Sequence, residues 1–155
     1  MAYIDRTPLN EFEQPFPNPN PISFEENKDQ FHFELHGAGD DTPGRKAYFV
    51  QLVAKPGKEE ALQAFLRDVN RGVDDEPFTG PWFSLRFNKS TFFIFETFPD
   101  FKGREAHNVG PGGQQFLRRD ELRDMLAYPA QSYKMDVMHG KYGVIMGQPV
   151  TPVMG

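Results

Sequence analysis

Residues 82–100 read WFSLRFNKSTFFIFETFPD, and the topology follows from them. Two β-rich runs, Trp82 to Phe87 and Thr91 to Phe98, flank Asn88-Lys89-Ser90, which has the length and composition of a hairpin turn. The runs should therefore pair antiparallel. A sheet with helices on one face should alternate apolar with polar side chains along each strand. Here Phe92-Phe93-Ile94-Phe95 and Phe83, Leu85 and Phe87 beside Trp82 leave both faces apolar. The second face needs a cover as much as the first.

Upstream, Tyr48 to Ala54 is a further β-rich run, closed by Lys55-Pro56-Gly57. Lys58 to Asn70 then places Ala61, Leu62, Phe65, Leu66 and Val69 at helical spacing, with charge on the other side. Downstream, Pro99-Asp100 breaks the hairpin's second strand. Phe101 to Asn108 reads as a short helix, Gln114 to Leu126 as a longer one stopped at Tyr128-Pro129, and Ser132 to His139 as a final alternating strand. Between the helices, Gly110-Pro111-Gly112-Gly113 lacks the Lys-Ser/Thr of a phosphate loop. It reads as the hinge of a lid or as a simple break. The order strand, helix, two strands, helix, strand is that of an α+β protein with a ferredoxin-like βαββαβ fold and an antiparallel sheet. The cheapest cover for the second apolar face is the same face of another copy, which predicts a homodimer whose two sheets close into a dimeric α+β barrel. The competing cover is the chain's own N-terminal arm.

That arm occupies residues 1–45 and is set apart by composition. Pro8, Pro15, Pro17, Pro19 and Pro21 forbid a helix, and Phe12 and Phe16 favour an extended arm that packs on something. Phe31, Phe33 and Leu35 alternate with His32, Glu34 and His36, which suggests a short half-buried strand. Alternate residues on a strand can converge on a metal, but His32, Glu34 and His36 alone would hold one weakly, and a solvated strand face is the expectation. No metal site is predicted. Residues 1–45 carry nine acids and three bases, against 13 and 14 in the rest, so the net charge of −5 belongs to the arm. Residues 46–140 form the domain and 141–155 a tail.

No stripe of Lys and Arg serves a phosphate backbone, so nucleic acid is not an expected partner. The absence of Cys removes a disulfide framework, a thiolate nucleophile and zinc sites built on sulfur. No apolar run approaches the roughly 18 residues of a membrane span, and the N-terminus has no apolar signal-peptide segment. The expectation is a soluble, cytoplasmic protein that does not enter membranes.

Three segments taken in order, LVAKPGKEEALQAFL at 52–66, the hairpin above, and GREAHNVGP at 103–111, resemble the antibiotic biosynthesis monooxygenase domain, a family of the dimeric α+β barrel superfamily. The resemblance covers about residues 46–140. It implies an enzyme that deprotonates an electron-rich phenolic, anthrone-like or polyketide-type substrate and lets the carbanion react with dioxygen, without metal or flavin. Other members of the superfamily cleave haem, isomerise or cyclise their substrates, so a non-oxidative cyclase or isomerase, or a non-catalytic ligand-binding dimer, stands beside the oxygenase reading.

By the resemblance, His107 occupies the place of a His that lines the cavity in several members. It is either a proton acceptor there or a cap on its helix end. Phe98 stands where many relatives have Trp, and Val50 where haem-degrading relatives have Asn, which disfavours haem. The residues themselves add Arg86, on one face with Trp82 and Ser84, as a partner for a carboxylate or phenolate, or else for Glu96 or Asp136. Glu96, among Phe residues, is either an acid or base or the partner of Arg86. Tyr48 is an oxyanion donor or a packing residue, as is Tyr133. The expected site is thus His107 as acceptor, Arg86 or Tyr48 for the oxyanion, and Phe98, Trp82, Phe93, Leu52 and Val50 as apolar walls.

Overall fold

The periodicity after Gly57 is realised as α1, Glu59–Val73, which ends three residues beyond its pattern. Leu62, Phe65, Leu66, Val69 and Val73 recur every three or four residues and are all buried. They pack on Val50, Leu52, Phe92 and Ile94, and each such burial stabilises by roughly 1.5–3 kcal/mol. This computed structural model describes residues 21–24, 33–37 and 42–141. Most of the proline-rich arm, His32 and the tail from 142 lie outside them.

Five strands form one sheet: β1 (Phe33–His36), β2 (Lys46–Val53), β3 (Trp82–Arg86), β4 (Thr91–Phe98) and β5 (Ala130–Asp136). The order is β1-β5-β2-β4-β3. The last four strands in that order pair antiparallel, as a ferredoxin-like βαββαβ unit requires, and β1 adds parallel to β5 at the edge. β5 begins at Ala130 rather than Ser132 and ends at Asp136 rather than His139.

Register sorts the side chains onto two faces. Tyr48 opposes Glu96, Val50 opposes Ile94 and Leu52 opposes Phe92, all toward the helices. Phe49, Phe93 and Phe95 alternate onto the other side, where Phe49 stacks on Phe93 with ring centroids 4.9 Å apart. Beside them Phe83, Leu85 and Phe87 are 38%, 45% and 75% exposed. The sheet of one chain therefore does not close on itself.

Three expectations change. β1 does not turn a solvated face outward: Glu34 and His36 are buried. Gln131 donates to the Pro129 carbonyl, which points its oxygen at His36, and His36 Nε2 donates to it over 2.9 Å while the imidazole stacks on Tyr133. The amide of Ile22 donates to Glu34, and Phe24 is buried beneath the Arg123 guanidinium, so residues 21–24 pack against the domain.

The second helical region is not one long helix. α2 (Phe101–Val109) is capped by Asp100, whose carboxylate accepts from the Gly103 amide at 2.8 Å. Then come α3 (Pro111–Gln114), a 3-10 turn (Gln115–Leu117) and α4 (Arg119–Met125), with Arg118 breaking the path. Lastly, Gly110 to Gly113 is packing rather than hinge. Pro111 starts α3, as its fixed φ favours. A Cβ at Gly112 would come within 2.6 Å of Val73, and one at Gly113 would collide with the His107 carbonyl oxygen. Only glycine lets α3 lie this close to α1 and α2.

Candidate active site

Between the helical side of the sheet and the α3 region lies a cavity of about 240 Å³. β1 supplies Phe33 and Leu35, β2 Tyr48 and Val50, β4 Glu96, and β5 Ser132; α2 adds His107 and Asn108, and Gly113, Phe116 and Leu117 form the roof. The walls are apolar except at one end.

At that end the imidazole of His107 lies between two carboxylates. Nδ1 donates to Glu76 Oε1 at 2.6 Å, and Nε2 stands 3.2 Å from Glu96 Oε1. All three side chains are buried. Glu76 comes from the loop after α1. Its second oxygen accepts from the Gly112 amide at 2.6 Å, and Thr79 donates to its first at 2.7 Å. One carboxylate thus ties the roof to the histidine.

Burial alone would push the His107 pKa down, but the hydrogen bond to Glu76 and the close contacts with both the Glu76 and Glu96 carboxyl groups outweigh it and hold the pKa at about 9. Burial likewise pulls Glu76 upward. Hydrogen bonds from His107, Thr79 and the Gly112 amide, with the imidazolium charge, keep it below the usual carboxylate range. Glu76 and His107 thus form a carboxylate–imidazolium pair at neutral pH.

The contact between Nε2 and Glu96 falls outside hydrogen-bond alignment, so Glu96 Oε1 is buried with no hydrogen-bond donor among the described residues. Beside it, Tyr48 donates to Asn108 Oδ1 at 3.0 Å, and Asn108 donates to Glu105 at 3.1 Å. Burial pushes the Tyr48 pKa up to about 12, so its hydroxyl stays protonated. The Arg104 guanidinium lies 5.2 Å over the Tyr48 ring. Among the described residues no group of three or more His, Asp or Glu is placed to hold a metal ion. No described helix is long and apolar enough to cross a membrane.

No family model matches the sequence, and no curated protein does. Solved structures do. A protein of unknown function from Nitrosomonas europaea, NE2512, is 34% identical, with a TM-score of 0.59 over 65% of this chain and 96% of its own. The two chains belong to one family. A second protein from that organism, named as a candidate antibiotic biosynthesis monooxygenase, matches at 18% identity and a TM-score of 0.56 over 65% of this chain and 97% of its own. A structure titled as antibiotic biosynthesis monooxygenase matches at 16% and 0.51, over 61% and 99%. The chain therefore shares its fold with proteins that carry the antibiotic biosynthesis monooxygenase name.

In this monooxygenase-like fold the expected site residues part company. Tyr48, Val50, Glu96 and His107 converge on the cavity. Phe98 packs behind it, edge-on to Tyr48 and 5.1 Å from the His107 ring. Leu52 is in the core under α1, and Phe93 is on the opposite face of the sheet. Trp82 lies across from Glu96 and packs on the core, its Nε1 buried without an acceptor among the described residues.

Arg86 is elsewhere. Its guanidinium donates to the Asn88 and Lys89 carbonyls at 3.2 and 3.3 Å and covers the Phe92 ring, in a surface groove with Gln63, Arg67 and Asn70. It pairs with neither Glu96, which meets His107, nor Asp136, which takes Lys46 at 2.6 Å. Protonated at neutral pH, His107 holds a proton where the sequence suggested it would take one. The chain pattern did not single out Glu76 or Asn108; Glu76 sits in an irregular loop, where spacing carries no signal.

Proposed function

We propose that the chain is a cytoplasmic small-molecule enzyme of the monooxygenase type. It acts without metal or flavin on an aromatic or polyketide-type compound in the cavity, with dioxygen as co-substrate. The observation that supports this reading is Glu96, a buried carboxyl side chain with an oxygen that no donor satisfies among the described residues, at the end of an apolar chamber.

A phenolic hydroxyl placed there gives its proton to Glu96. The proton transfer neutralises Glu96 and frees the His107 imidazolium to face the new oxyanion, so positive charge waits where negative charge develops. The electron-rich ring then reacts with dioxygen. For 1-naphthol the balance is one dioxygen consumed, one oxygen atom retained in 1,4-naphthoquinone and one lost as water. Apolar walls keep bulk water from the carbanion.

We also infer that the working unit is a homodimer joined through the Phe49, Phe83, Leu85, Phe87, Phe93 and Phe95 face, because so continuous an exposed apolar surface is a liability on a single chain.

Oxygen uptake tests the activity. The full chain should consume oxygen with 1-naphthol and form quinone. Glu96→Gln, which keeps the shape but cannot take a proton at neutral pH, should slow this by roughly 100-fold or more. If 1-naphthol, hydroquinone and anthrone all consume no more oxygen than the buffer blank, the oxygenase reading is wrong.

A further inference from the structure

The chamber's charge pattern restricts what can enter it. Among the described residues, Glu96 is the one lining group with a buried acceptor atom that no donor satisfies. The one cation among the lining residues, His107, has a carboxylate facing each ring nitrogen. The Tyr48 hydroxyl already donates its hydrogen bond to Asn108 Oδ1. Opposite this end the walls are Phe33, Leu35, Phe116 and Leu117. A carboxylate or phosphate on an entering ligand would meet Glu96 with no free cation among the described lining residues to neutralise it, in a medium where burial makes repulsion strong. A hydroxyl or N–H would supply the missing donor.

We infer that Glu96 is a specificity-determining residue: the chamber admits small, flat apolar ligands whose leading polar group donates a hydrogen bond without negative charge, and it rejects carboxylates of the same shape. At about 240 Å³ the chamber lies below the range for drug-sized ligands, which favours one or two fused rings. The inference rests on the site assignment above but not on its redox step.

A matched pair separates the two. Calorimetric titration of the full chain with 1-naphthol and 1-naphthoate compares one ring system bearing either a neutral donor or an anion. The expected result is binding of 1-naphthol at least about tenfold tighter than 1-naphthoate, the size of one charge-assisted hydrogen bond won or lost. In Glu96→Gln the ratio should fall to about threefold or less, chiefly because 1-naphthoate binds better.

Equal affinities in the native chain, or a ratio unchanged by Glu96→Gln, overturn the inference and leave the oxygenase reading standing. Binding of neither compound overturns both. Binding of 1-naphthol without oxygen uptake removes the oxygenase reading alone. The comparison within the native chain needs no variant to fold.

Discussion

Glu76→Ala is expected to lower the free energy of unfolding by about 3 kcal/mol in urea titrations near pH 6, the usual consequence of stripping one partner from a buried ion pair. The side chain meets three donors at once, His107, Thr79 and the Gly112 amide, so its loss leaves a buried imidazolium and a buried amide short of acceptors. A pKa for His107 near 9 against an ordinary 6.5 corresponds to a similar magnitude, on the order of 3 kcal/mol.

The sign of the pH dependence follows from the directions of the two shifts. His107 has a raised pKa, so its contribution is complete below about 6.5 and is lost as pH rises through about 9. Glu76 has a lowered pKa, so its contribution is complete above the ordinary 4.5 and is lost as pH falls through its folded value. The native chain should thus be most stable between those ordinary values and weaken toward pH 9. Glu76→Ala should flatten the alkaline limb. A variant that unfolds at the same urea concentration as the native chain would mean that the Glu76 carboxylate holds nothing in place.

Leu85→Lys is expected to convert the proposed dimer to single chains. Leu85 is already 45% exposed and sits across from Phe93, so the Lys disturbs an isolated chain little. Buried between two apolar sheets, its ammonium would have to be desolvated without a partner, which should weaken association by about 100-fold or more. Light scattering at micromolar concentration, beside circular dichroism to confirm an intact fold, gives the answer. A native chain that scatters as a monomer contradicts the twin-sheet arrangement outright.

How far the sequence speaks depends on whether a signal is local. The strands and α1 were legible because the burial of β2, β4 and α1 repeats with the periods 2 and 3.6 that their residues display. The stretch from Gly110 to Leu126 was not, because two glycines that look like freedom are there for close contact with α1 and α2, which no local pattern encodes.

The site divides the same way. Glu96 stood out as a charge amid phenylalanines, and His107 through the family resemblance. Arg86 misled because shared face is not shared place. It faces the same side as Trp82 but lies four residues further along β3, about 13 Å at strand spacing, opposite Phe92 instead of Glu96. Phe93 lies three positions before Glu96, an odd step along the strand, and so had to face away from it. Glu76 was out of reach, since its role exists only once a loop after α1 is brought against α2 and α3.

The site's chemistry turns on which group holds the proton. Nitrogen-15 chemical shifts of the His107 ring, followed from pH 5 to pH 10 in the native chain and assigned with His107→Gln, read this directly. An imidazolium pattern on both ring nitrogens through neutral pH, titrating near 9, is the predicted result. A neutral ring at pH 7, with one nitrogen carrying a free lone pair, would return the acceptor role to His107 and contradict the assignment of Glu96 as the base.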